Sequence, residues 1–220
     1  MLPFQKTFAS LFRAKLWWLL LICAALAASI VAAIVVGVTG IAAFLVKIDI
    51  AWLKAIFTAS VGLLTGIAGW FMLPPLTILV AGFFQETAIR RVEQAYYPFA
   101  LRGDLKFWPE LWHDARFTLW SIFLNMLVLP LYAVGIGFVV SALLNGYLVG
   151  REFFETAAGY HLGKPAAKAL RQKHRMRVYK NGLALALLTL IPVINLFMPL
   201  VAVVWMVHVY HAISDSERTI

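Results

Sequence analysis

Residues 16 to 46 read LWWLLLICAALAASIVAAIVVGVTGIAAFLV, without a single Asp, Glu, Lys or Arg. A helix needs about 20 apolar residues to cross a hydrocarbon core about 30 Å thick, and this stretch is longer. Lipid offers backbone N–H and C=O groups no partner, so such a segment satisfies them internally as a helix. Three further stretches share its composition: Ala55 to Phe84, Phe117 to Val149 and Gly182 to Ala212, each 30 or more residues without formal charge. The whole chain is 63% hydrophobic and 13% charged, with a mean hydropathy of +0.86. An average soluble domain is nearer half apolar and a quarter charged. The expected fold class is therefore an all-α integral membrane protein, read as one membrane domain over residues 1 to 220.

Charge sets the expected topology. Lys and Arg number 3 in residues 1 to 15, 2 in 47 to 54, 5 in 85 to 116, 8 in 150 to 181 and 1 after residue 212. Four simple crossings would put the most basic linker outside, against the tendency of cytoplasmic loops to carry the cations. The third and fourth stretches are interrupted, by Pro130 and by the IPVINLFMP element with Pro192, Asn195 and Pro199. Pro130 leaves a half of roughly 13 residues, about 20 Å of helix and too short to cross. The expectation is two long transmembrane helices plus two re-entrant, Pro-broken helical hairpins with tips at Pro130 and Pro192 to Pro199. Both termini and both long linkers then face the cytoplasm, and only Lys47 to Lys54 lies outside. Four proline-kinked spans are the alternative, since bilayer helices tolerate proline when neighbours satisfy the freed groups.

Smaller features fit this frame. Phe4, Phe8, Leu11 and Phe12 recur at helical spacing, as in a helix lying in the interface. The basic N-terminus precedes an apolar run about twice the length of a signal-peptide core, so an anchor is expected. Beyond Pro74 and Pro75 the second span continues into ETAIRRVEQAYY, with Glu86 and Arg90 four apart. Pro98 and Gly103 mark a break, and Trp108, Trp112 and Trp120 a return to the interface. Gly62, Gly66 and Gly69 permit close helix approach, either within the chain or between copies. The single cysteine, Cys23, excludes an intrachain disulfide and reads as a packing residue.

The linker from Gly150 to Lys180 carries Arg151, Lys164, Lys168, Arg171, Lys173, Arg175, Arg177 and Lys180 against Glu152 and Glu155. It is open to two readings: a cytoplasmic face touching anionic head groups, or a vestibule that concentrates anions. Few aromatics interleave it and it adjoins membrane, which argues against nucleic acid. No GxxxxGK[ST], GxSxG or HExxH pattern occurs, so neither ATP hydrolysis nor covalent chemistry is expected, and no cofactor. His208 and His211 have the closest thing to a metal-like spacing, in the last apolar segment, but read as structural or interfacial residues, so no metal site is expected either.

AGFFQETAIRRVE after the second span, NGYLVGREFFE closing the third stretch and NGLALALLTLIPVINLFMPLVAV after the basic linker resemble the bacterial CysZ-type sulfate permeases and the related etoposide-induced protein family. The resemblance implies an inner-membrane protein that admits sulfate for cysteine biosynthesis and assembles as an oligomer. Where that family carries a Gly-Leu-Arg element, this chain reads SLFRAKLWW, keeping charge at Arg13 and Lys15. The expected partners are sulfate or a similar oxyanion, membrane lipids and further copies of the chain. The candidate anion-binding or pathway residues are Arg13, Lys15, Glu86, Arg90, Asn145, Arg151, Glu152, Glu155 and Asn195. Local salt bridging and helix capping are the competing roles, and a non-conducting scaffold of the same fold is the competing function.

Overall fold

The computed structural model describes residues 3–47, 49–98 and 107–218. Every regular element among them is a helix: α1 (Phe4–Arg13), α2 (Leu16–Leu45), α3 (Ala51–Tyr96), α4 (Phe107–Ala133), α5 (Gly137–Leu162), α6 (Lys164–Lys173), α7 (Arg175–Leu188) and α8 (Pro192–Arg218). By length and composition three segments are able to cross a membrane, Leu16–Leu45, Ala51–Leu73 and Phe197–Glu217. The chain is thus a membrane protein built from helices.

In α1 the hydroxyl side chains of Thr7 and Ser10 are buried, while Phe4, Phe8 and Phe12 are 56%, 59% and 63% exposed. The hydroxyls stay inside because each finds a carbonyl one turn back, Thr7 on Pro3 and Ser10 on Lys6. The aromatic face points outward, as an interfacial helix requires. Lys15 joins α1 to α2 in the left-handed region, with φ 52°. Its carbonyl accepts a bond from Arg91 Nη1 at 3.3 Å.

α2 and α3 form a long antiparallel pair. Trp17 and Trp18 stack at its base, and above them Phe44, Leu63, Trp70 and Phe71 are all more than 60% exposed. Water would not tolerate that apolar surface, whereas acyl chains cover it. A Cβ on Gly69 would come within 2.6 Å of Val31, and one on Gly62 within 3.6 Å of Thr39. Both glycines therefore serve the approach of α2 to α3 within one chain, while Gly66 faces open space. α3 has 46 residues, about 69 Å at 1.5 Å each. It continues past Pro74 and Pro75 as expected, carrying its second half away from the apolar segment.

The hairpin turns differ from the expected ones. Pro130 lies inside α4, and the chain reverses instead at residues 134–136, where Gly135 takes φ +80°. Gly137 follows so tightly that a Cβ there would meet Tyr132 at 2.5 Å. In the last stretch the break falls at residues 189–191, before the IPVINLFMP prolines. Pro192 opens α8 and Pro199 lies within it. The reason is positional: a proline in a helix's first turn lacks only an N–H that would be unpaired anyway. The break expected at Pro98 to Gly103 falls largely outside the described residues, as do the side chains of Trp108 and Trp112; Trp120 is exposed.

The core gathers at one end. There α8, from Met198 to Ile213, is enclosed by α1, the first turns of α2, the second half of α3, the second half of α5, and α7, with α6 packed on α5. Cys23 is fully buried in it. Trp205 fixes α8 to α7 by donating Nε1–H to Asn181 Oδ1 at 2.8 Å. α5 and α7 cross almost backbone to backbone, because Gly146 and Gly150 face Gly182.

Candidate functional site

On α5, Tyr147, Arg151 and Glu155 lie four apart and share a face. The glycine crossing brings that face close to α7, and α6 closes over it. Arg171 of α6 donates Nε–H to Glu155 Oε1 at 2.8 Å, and Arg151 Nε stands 3.4 Å from the same oxygen. Arg171 also lies over the Tyr147 ring at 5.9 Å. Arg151, Arg171 and Arg175 then line a cavity of about 190 Å³ together with Tyr147, Met176 and Tyr179. Three guanidinium groups line the cavity and present donors in planar forks, and Glu155 pairs with two of them.

The other candidates form separate groups. Glu86 and Arg90 pair at 2.9 Å on the exposed side of α3. Arg90 Nε also donates to Tyr160 Oη at 2.8 Å, and this bond, with Glu86, raises the guanidinium above its ordinary value. Arg13 sits over the Tyr96 ring at 5.1 Å, while Lys15 contributes its carbonyl to Arg91. Asn145 donates to Ser141 Oγ at 3.2 Å. Ser141 and the exposed Glu152 line a second cavity of about 550 Å³ between α4 and α5, with Ser121 and Asn125. Asn195 lies in the first turn of α8, its backbone N–H bonded to the Ile191 carbonyl at 2.9 Å. Of the nine candidates, Arg151 lines the arginine cavity and Glu155 pairs with two of its arginines.

A third polar group was not anticipated. Glu93 of α3 is fully buried, and its Oε1 lies 2.6 Å from His161 Nε2 and 3.0 Å from His211 Nε2. Burial disfavours the charged carboxylate, but the bonds from His161 and His211 outweigh it and hold Glu93 below the usual carboxylate range. Tyr97 stacks on His211 with centroids 3.8 Å apart, and Tyr210 stacks on His161 at 5.4 Å. Burial pushes the Tyr97 phenol up to about 12, so it stays a donor to His208 Nδ1, 2.9 Å away. Ser10 has already given its proton to the Lys6 carbonyl, so its Oγ accepts from His208 Nε2 at 2.8 Å. These bonds assign His208 as the neutral Nε2–H tautomer.

The family model described as sulfate transporter CysZ/etoposide-induced protein 2.4 matches residues 3–199. The chain belongs to this family. No curated protein and no solved structure matches it significantly. The CysZ/etoposide-induced match takes in every candidate from Arg13 to Asn195 and the whole arginine cavity. It stops before His208 and His211, so the buried histidine cluster is only partly within it.

Sequence reading of this CysZ-related chain left His208 and His211 without a carboxylate partner. The partner is Glu93, 118 positions from His211. Its one local signal was register: Glu93 lies four after Ile89 and one after Val92, both buried, so it belongs to the inward stripe of α3. Arg171 was visible only as one of many linker cations.

Proposed function

We propose that the protein passes sulfate or a similar oxyanion across the bacterial inner membrane, as a conduit rather than an enzyme, feeding sulfur assimilation. The observation that carries this reading is the convergence of Arg151, Arg171 and Arg175 on one cavity in a chain of this family. A sulfate dianion gives up its hydration only where cations or oriented N–H donors replace water. Arginines do so at any physiological pH. Arg13 and Lys15, exposed at the α1–α2 junction, add to the field that draws the anion in, and Asn145 and Glu152 mark the groove beside α4. Movement is passive or driven by an ion gradient.

Radiolabelled sulfate uptake into proteoliposomes tests the reading. Uptake well above empty liposomes is expected, and Arg175→Ala, at an exposed position, should slow it about tenfold, as losing one charged hydrogen bond would. Uptake no faster than the empty control would favour the non-conducting scaffold.

The proposed topology places both termini in the cytoplasm, α2 and the first half of α3 across the bilayer, and the α4–α5 and α7–α8 hairpins partly inserted from the cytoplasmic side. Length supports it: α7 has 14 residues, about 21 Å, too short to cross. The apolar part of α8 is also largely buried in protein, from Leu200 to Tyr210 above all. Single cysteines in a Cys23→Ala background, treated outside intact cells with an impermeant thiol reagent, should label between Lys47 and Lys54 alone. Strong labelling at residues 160 to 175 would overturn the arrangement. Assembly into homo-oligomers would cover the hairpin turns and is part of the same proposal.

A further inference from the structure

We infer that Glu93, His161 and His211 form a binding site for one divalent transition-metal ion, with Zn²⁺ as the best chemical fit. The three come from α3, α5 and α8, and their ligand atoms all lie within 4.8 Å of one another. The second observation is the state of the carboxylate. Both imidazoles address Oε1, while Oε2 is buried and has no hydrogen-bond partner among the described residues. A buried anionic oxygen left bare is rare because its lost hydration is not replaced. A cation against the carboxylate supplies what is missing.

The donor set selects the metal. Two imidazole nitrogens and one carboxylate match a zinc site with its fourth position open, whereas Ca²⁺ takes six to eight oxygens. Zinc bonds of about 2.0 to 2.2 Å at tetrahedral angles set ligand atoms roughly 3.3 Å apart. The present 2.6 and 3.0 Å contacts would open by a few tenths of an ångström. The rings are already steered, because Tyr97 lies flat on His211 and Tyr210 flat on His161. Binding requires each Nε2 lone pair to be free, so the Nε2 protons move to Nδ1 or leave, and affinity weakens as the pH is lowered. Such an ion would join three helices that share no stretch of sequence, clamping α8 to α3 and α5.

The test uses the untagged full-length chain in detergent, stripped with a chelator and titrated with Co²⁺ as a visible probe and with Zn²⁺. The expected result is one ion per chain, a tetrahedral Co²⁺ absorption band, and a higher melting temperature with Zn²⁺. His161→Asn and Glu93→Gln should lose the band. His174→Ala, which removes the separate His174–Glu217 pair at 2.8 Å, should keep it. X-ray absorption of the Zn²⁺-loaded native protein reads the ligands without any variant, and two imidazoles are expected in the first shell. A folded chain that takes up no Co²⁺ or Zn²⁺, or one whose zinc shell lacks histidine, would overturn the site and leave the cluster a hydrogen-bonded triad.

Discussion

Gly182→Ala is expected to unfold the α5–α7 crossing and to lower the melting temperature sharply. The new Cβ would stand 2.3 Å from the Gly146 carbonyl oxygen, 2.5 Å from Gly150 Cα and 2.7 Å from Gly150 N. All three are backbone atoms, so no rotamer relieves the clash and the helices have to part. Overpacking that flexible side chains absorb costs about 1–3 kcal/mol, and rigid backbone places this case at or beyond the upper end. Separation would also pull Tyr179 and Arg175 of α7 away from Arg151, opening the cavity. Gly66→Ala is the control, since nothing lies within 4 Å of a Cβ there. Thermal unfolding followed by size-exclusion chromatography in detergent measures both, and a Gly182→Ala protein melting with the native one would refute the crossing.

That crossing shows where sequence reading stopped. Gly62, Gly66 and Gly69 stood out because an apolar helix containing three spaced glycines is easy to see, and two of them do meet α2. Gly146, Gly150 and Gly182 have the same physics, but the pairing of α5 with α7 spans the basic linker and leaves no local mark. The helical class and the first two spans were legible because uncharged length alone decides them. The turns were misplaced for a definable reason. Pro130 removes one donor close to the end of α4, which that helix survives, and the reversal waits for Gly135, whose φ of +80° side chains resist.

The candidate charges were legible to the same degree. Arg151 and Glu155 were singled out because charge beside an apolar stretch is expensive unless paired or used, and they are indeed paired. Their shared partner, Arg171, comes from a helix whose packing no periodicity announced. Glu93, His161 and His211 are assembled by tertiary packing around α8, so their encounter was invisible even though each residue was in plain view.

Glu155→Gln separates a binding cavity from an ordinary ion-pair network. Glu155 has a side chain 6% exposed and balances Arg171 and Arg151, themselves only 10% and 15% exposed. The amide keeps the shape and one acceptor oxygen but removes the negative charge that pairs with two nearly buried guanidinium groups. Removing one partner of a buried pair costs about 3–5 kcal/mol, so in sulfate-free buffer the variant should melt well below the native protein. If the cavity admits sulfate, the dianion takes over the role of the lost carboxylate. Native protein, whose carboxylate already satisfies part of the positive charge, gains less from the same addition. Sulfate also stabilises proteins generally by exclusion from their surface, so Glu217→Gln, at a partly exposed pair with Lys173, provides the baseline. The expected result is a melting-temperature gain in millimolar sulfate that is largest for Glu155→Gln, smaller for native protein and smallest for a Glu155→Gln/Arg175→Ala double variant. Equal gains in all of them would mean that the arginines hold the fold together and bind no anion.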